Sequence, residues 1–152
     1  MQIRRFRKSD APEVARLHRD TIRSVNTKDY PQPHIKVWSN RVSADRWAKY
    51  FGKNTIFVAV DKRKILGVAS YKKDEIMAMY VHKDSIGKGV GKKLLLRLER
   101  DALKNGIKKI KCTSTVTAQS FYEKNGYKTI KKTKFKIKNK YLTVYKMKKH
   151  LQ

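Results

Sequence analysis

Residues 11–25, APEVARLHRDTIRSV, place Val14, Leu17, His18, Ile22 and Val25 at helical spacing, which predicts an amphipathic helix. Before it, Gln2 to Arg7 reads as a strand, with Ser9 or Asp10 as the helix cap. The segment NTKDYPQPH reads as a turn-rich loop, because Pro31 and Pro33 each disfavour helix at the residue before them. A second amphipathic helix is predicted at about 43–51, with Trp47, Tyr50 and Phe51 on its apolar side. TIFVAVD and KILGVASYKK then flank Lys62-Arg63 at hairpin spacing, and EIMAMYVH follows as a third consecutive strand. Helical spacing returns at Val90 to Lys104, where Val90, Leu94, Leu98 and Ala102 fall in register with Leu95 alongside. Asn105-Gly106 ends that helix. IKKIKCTS is a strand, and TAQSFYEKN is a short helix that stops at Gly126. In KKTKFKIKNKYLTVYKMKK lysines alternate with apolar residues, which predicts a hairpin with one wet, basic face.

The order is therefore β-α-α-β-β-β-α-β-α-β-β. An antiparallel meander followed by a β-α-β crossover predicts an α+β fold. The expected architecture is a mixed, mostly antiparallel sheet of about six or seven strands with about four helices. No repeat, linker or low-complexity stretch interrupts it, so residues 1–152 are expected to form one domain. A chain of this length buries roughly two-thirds of its unfolded surface.

Composition narrows the setting. No apolar run approaches the ~18 residues of a helical membrane span. The basic N-terminus has no apolar stretch behind it, unlike a secretory signal. The single cysteine, Cys112, leaves no internal disulfide and no metal cluster, so a cytoplasmic protein without a metal is expected. Lys and Arg total 39 against 12 acids, a formal net charge of +27. Such a field attracts polyanions, including nucleic acid, and repels a strongly basic peptide. Lysines are spread along the whole chain, so a compositional bias that fills solvated faces is the simpler reading. Nothing in the sequence indicates an oligomeric state.

The densest chemistry lies between Val81 and Tyr127. A strand ending in IMAMYV runs into the glycine-rich turn SIGKGVGKK, which opens a helix. Successive backbone N–H groups and the positive end of the helix dipole converge there, a cradle for phosphate. Glycines at 87, 89 and 91 let an anion approach the main chain. A nucleotide P-loop ending at Gly91-Lys92 needs Gly at 86 and Ser or Thr at 93; Ile86 and Lys93 stand there. The dinucleotide fingerprint fails as well, since the glycines are spaced G-x-G-x-G and no acid stands at Ile107 or Lys108.

The loop Ile86-Gly87-Lys88-Gly89-Val90-Gly91 resembles the [QR]-x-x-G-x-[GA] acyl-CoA-binding motif of the GNAT-family N-acetyltransferases, with Ile86 where Gln or Arg is usual. AQSFYEKNGY is similar to the family's A-x-x-F-Y-x-x-x-G-[FY] block. Upstream, SVNTKDY, KVW and DRWAKYF are similar to a bacterial and archaeal subgroup of poorly defined substrate. The resemblance covers nearly the whole chain. It implies acetyl-CoA as the acyl donor and a primary amine, on a small molecule or peptide, as the acceptor. It also implies direct attack in a ternary complex. Residues Ile86 to Lys92 would hold the pyrophosphate, and the backbone of Met79, Tyr80 and Val81 would pair with the pantetheine arm. The Val81 amide would polarise the thioester.

Acetyl transfer to an amine needs a base for the ammonium, an oxyanion donor and a proton for the leaving thiolate. Tyr122 matches the position at which many family members protonate that thiolate, and a phenol suits the task because it stays protonated at neutral pH. The alternative is a tyrosine that packs its helix on the sheet, as Phe121 beside it would. Glu75 stands roughly where several members place a catalytic glutamate. Strict alternation groups it with Met77, Met79 and Val81, away from Ile76, Ala78 and Tyr80. It is otherwise a solvated hairpin acid beside Asp74, with water as the base. His82 reads as a strand-end residue, and Cys112 as a small buried hydrophobe. By the same resemblance Tyr30, His34, Trp38 and Trp47 lie along the acceptor wall, and Tyr30 and Trp38 are the expected substrate-binding residues. Other classes of function on this scaffold are a basic nucleic-acid-binding module and an acyl-CoA sensor without turnover.

Overall fold

The computed structural model describes all 152 residues. Strands β1 (Gln2–Arg5), β2 (Thr55–Asp61), β3 (Lys64–Lys72), β4 (Glu75–Val81), β5 (Lys109–Thr115), β6 (Lys128–Ile137) and β7 (Lys140–His150) make one sheet in the order β1-β2-β3-β4-β5-β7-β6. Every neighbouring pair is antiparallel except β4 with β5. Helices α1 (Ala11–Ser24), α2 (Gln32–Asn40) and α3 (Ala44–Tyr50) cover one face; α4 (Val90–Lys104) and α5 (Gln119–Lys124) cover the other.

The helix α2 is an addition to the expected order, because its first residues fall in the segment read as a loop. Pro31 caps it in an extended conformation and Pro33 sits in its first turn. A first-turn residue has no intrahelical acceptor for its N–H, so proline loses nothing there. Burial of Ile35 and Trp38 then outweighs the weak preference of Gln32 against helix.

Each face of the sheet has its own core. Val14, Leu17, Ile22, Trp38, Trp47 and Val58 belong to the cluster beneath α1–α3. Phe57, Ala69, Leu94, Leu95, Leu98 and Met147 belong to the cluster beneath α4 and α5. Leu94, Leu95 and Leu98 of α4 are fully buried, and truncating any one of them to alanine should cost about 2–5 kcal/mol. The helix lies close on β3 at Gly67, where an added Cβ would stand 2.8 Å from Leu94 Cδ1. At the sheet's edge, β6 carries lysines at 128, 131, 132, 134 and 136, a charged border that discourages pairing with another chain.

Two irregularities in β4 make the functional region. β4 and β5 pair only at Glu75 with Lys111 and Ile76 with Cys112, and beyond that they diverge. β4 also bulges at Met77, since Ser70 pairs with Ala78 while Tyr71 pairs with Ile76. The extra residue resets the alternation. Met79 and Val81 join Ile76 on the α4 side, while Ala78 and Tyr80 pack on the α1–α3 side. Glu75, next to Ile76, falls with Ala78 and Tyr80. Its expected grouping with Met77, Met79 and Val81 is thereby corrected.

Candidate active site

Divergence of β4 from β5 leaves main-chain groups of β4 without a strand partner. His82 N–H donates to Leu66 O at 2.7 Å, and the register pairs Tyr80 with Val68 and Ala78 with Ser70. Hydrogen-bonded positions recur at every second residue of an antiparallel pair. Residues 78, 80 and 82 therefore face β3, and Met79 and Val81 turn their N–H and C=O toward the gap. Thr21 Oγ1, on α1, donates to Val81 O at 2.9 Å, which fastens the end of the strand and leaves the Val81 N–H open.

The glycine loop closes one end of this gap. Gly87 (φ 81°) and Gly89 (φ 84°) adopt left-handed backbone, and a Cβ at either would meet nothing within 4 Å. Conformation rather than space demands glycine at both. Gly91 differs: a Cβ there would stand 3.1 Å from the Phe121 ring and 3.4 Å from Val81 Cγ2. It keeps α5 close to the start of α4. The cap residue Gly89 supplies no side chain, and the first turn holds no acid. The N–H groups of Val90, Gly91 and Lys92 thus lack intrahelical acceptors, and Lys88 and Lys92 flank them. Ile86 is exposed. This cradle suits a pyrophosphate, and the open strand edge suits an extended amide-bearing arm.

Between β4 and β5 runs a cleft of about 220 Å³, lined by Met79, Val81, Ile86, Gly91, Phe121 and Tyr122 among others. Tyr122 is buried, with 4 % of its surface exposed, yet its hydroxyl has no hydrogen-bond partner in the chain and is not sealed off. Burial, reinforced by the nearby Cys112 and Tyr80, holds its pKa well above the ordinary phenol value, so it remains a proton donor. Thr117 Oγ1 also lines the cleft, buried and without a partner. Cys112 lies deeper. Burial, then the charge of Glu75, pushes its thiol up to about 12, so it is not a nucleophile at neutral pH.

A second cavity, about 420 Å³, opens on the α1–α3 side. It shares Ile76, Met77, Ala78, Tyr80, Thr113 and Thr115 with the cleft, so the two meet across the bulge. Glu75 is the only acid that lines it, and it is half-buried. Trp38 and Trp47 form part of its wall, and Phe135, Ile137 and Leu142 of the β6–β7 hairpin close it. His18 of α1 lines it as well, its ring against Tyr80 at 3.9 Å between centroids. Nothing in the periodicity separates this histidine from the core residues around it. Its sequence signal is a polar ring at the centre of an otherwise apolar helix face.

Tyr30 lines neither cavity. Its hydroxyl donates to Thr143 O at 2.6 Å and accepts from Val116 N–H at 2.9 Å, so it ties the loop before α2 to β7 and to the end of β5. His82 caps the turn after β4, its Nδ1 accepting from Asp84 N–H at 3.1 Å. A surface depression of about 1040 Å³ beside α4 and the end of β7 is remote from the split.

A seven-stranded sheet split beside a helix-opening glycine loop is the scaffold of an acyltransferase. Residues 26–151 match the family described as the acetyltransferase (GNAT) domain, and the chain belongs to that family. It is similar to the uncharacterized N-acetyltransferase YafP of Escherichia coli K12, with 20 % identity over 97 % of this chain and 94 % of that one. Among solved structures it resembles a GCN5-related N-acetyltransferase from Rhodopseudomonas palustris, with TM-score 0.94, 25 % identity and coverage of 99 % and 95 % of the two chains. It also shares the fold of the PaiA N-acetyltransferase from Thermoplasma acidophilum in complex with coenzyme A, with TM-score 0.83, 21 % identity and 98 % coverage of each. The enzyme class is N-acetyltransferase. No helix is long and apolar enough to cross a membrane.

Proposed function

We propose that this protein transfers an acetyl group from acetyl-CoA to a primary amine by direct attack within a ternary complex. Acetyl-CoA supplies the thioester. Residues 86–92 bind its pyrophosphate through main-chain N–H groups, and the open main chain of Met79 and Val81, with Tyr80 between them, aligns the pantetheine arm. The open Val81 N–H stabilises the thioester oxygen as it takes up charge. The amine enters from the second cavity, where Glu75 takes the proton that the attacking nitrogen must lose. As the C–S bond breaks, the Tyr122 hydroxyl gives its proton to the departing sulfur.

One observation carries this reading. The cleft with the unpartnered Tyr122 hydroxyl and the cavity with its single acid share the wall at Met77. Donor and acceptor can thus meet from opposite sides of the sheet, with an acid on one side and a base on the other. The buried, protonated Cys112 favours direct transfer over an acyl-cysteine route. A single buried thiol and the use of acetyl-CoA support the cytoplasm as the place of action. Initial-velocity patterns test the order of events. Intersecting lines for acetyl-CoA against amine fit the ternary complex, whereas parallel lines lost in Cys112→Ala would establish the covalent route instead.

A further inference from the structure

The acceptor cavity carries more cationic and hydrogen-bond-donating character than a site for a simple amine requires. Arg41 and Arg46 both line it. Neither has a carboxylate partner in the chain. His18 lines the cavity as well. Its Nδ1 accepts from Trp47 Nε1–H at 3.2 Å; since indole only donates, the neutral ring carries its proton on Nε2. That Nε2 is buried and has no partner. Burial, then the charges of Arg19 and Arg41, lower the pKa of the ring to about 3, so the donor is neutral and permanent at physiological pH. A buried N–H without an acceptor calls for one from outside the chain. Lys146 also lines the cavity, with its ammonium donating to Thr113 Oγ1 at 2.8 Å. Against these cations stands one acid, Glu75, near the split.

Resting on the acetyltransferase reading, we infer that the acceptor is a carboxylate-bearing primary amine of amino-acid or dipeptide size, its carboxylate held by Arg41, Arg46 and the His18 Nε2–H and its amine directed to Glu75. The rim fits an apolar body on that molecule, for Tyr50, Met77 and Phe135 are exposed and line the same cavity. Its volume falls within the range of about 300–1,000 Å³ usual for small-molecule sites. Polyamines and lysine-rich peptides would bring cations to a wall of cations and are disfavoured.

The test measures binding and turnover separately. Protein saturated with coenzyme A is titrated calorimetrically with the standard amino acids, each beside its α-amide, and with spermidine. The same panel is then assayed for acetyl-CoA-dependent release of thiol. At least one free acid should bind and react about 10- to 100-fold better than its amide, the loss expected for removing a charged hydrogen-bonding group. In an Arg41→Gln, Arg46→Gln double variant, that acid-to-amide ratio should collapse toward one. Both side chains are exposed, so the variant should keep its fold. Spermidine or the amides acetylated as well as the acids, or an unchanged ratio in the variant, overturns the carboxylate site and leaves the acetyltransferase intact. Acids that bind through the arginines without releasing thiol retain the carboxylate site and remove the enzyme. No binding by any acid overturns the inference.

Discussion

Removing the Tyr122 hydroxyl should separate catalysis from stability, and Tyr127 supplies the control. The two rings pack edge to face at 5.2 Å between centroids and both are buried, but their hydroxyls have different surroundings. Tyr127 donates to Glu99 Oε2 at 2.7 Å, and the same carboxylate receives Lys149 Nζ at 3.0 and 3.1 Å. Tyr127→Phe therefore leaves a buried carboxylate short of a donor, at a cost of about 1–3 kcal/mol. The Tyr122 hydroxyl has no such partner, so Tyr122→Phe strands nothing and should change stability by no more than about 0.5 kcal/mol. A positioned general acid contributes about 10²–10⁴ in rate. At 1.36 kcal/mol per factor of ten, that is about 2.7–5.4 kcal/mol of barrier. Thiol release read with a disulfide reagent, beside urea unfolding, should show kcat down at least about 100-fold in Tyr122→Phe with the midpoint unmoved. Tyr127→Phe should show the reverse. Wild-type kcat in Tyr122→Phe, or an equal loss of stability in both variants, would refute the assignment.

Three further substitutions probe separate parts of the site. Glu75→Gln should lower kcat about 100-fold while leaving acetyl-CoA affinity unchanged; unchanged kcat would make water the base. Gly91→Ala gains about 1 kcal/mol of helix propensity but presses a methyl group on the Phe121 ring. It should therefore weaken acetyl-CoA about tenfold, or about 1.4 kcal/mol, with little loss of stability; an unaltered Kd would show that the ring yields freely. His18→Gln should flatten the acid side of the stability profile. Above pH 6.5 the ring is neutral in the folded and unfolded chains alike and has no effect. Between 6.5 and about 3 only the unfolded chain binds the proton, so stability falls as pH falls. At pH about 4.5 the loss is at most about 2.7 kcal/mol, reduced by the ring's partial exposure. Equal pH dependence in wild type and variant would count against a buried neutral ring.

Periodicity carried the reading of the fold far, and its failures have local causes. The register of Val90, Leu94, Leu98 and Ala102 holds in α4 because one helix face meets one sheet. Lys62-Arg63 makes a tight turn without glycine, both residues in left-handed backbone, so hairpin spacing was the usable signal there. The helix α2 was hidden by two prolines that read as breakers, although the first turn tolerates them. In β4, strict alternation put Glu75 with Met77, Met79 and Val81, because an extra residue in a strand leaves no mark in an apolar run. The bulge at Met77, itself 53 % exposed, shifts the phase and moves Glu75 to the side of Ala78 and Tyr80. Tyr30 looked like a pocket residue because a loop tyrosine between Asp29 and Pro31 has no helix or strand to pack in. Its partners, Thr143 and Val116, are remote in sequence. The cationic wall drew on Arg41, Arg46 and Lys146, which nothing in the sequence distinguishes from the other lysines and arginines.

The most direct test of the split sheet as an acetyl-CoA slot is calorimetric titration of nuclease-treated protein at about 0.3 M salt, where a shortened Debye length suppresses non-specific attraction to a highly basic surface. ATP serves as the control, carrying the phosphates without the pantetheine arm. Saturable one-to-one binding of acetyl-CoA, with ATP far weaker, is the expected result. Equal binding of both ligands, or binding of neither, would contradict the slot and leave the glycine loop as no more than an anion trap.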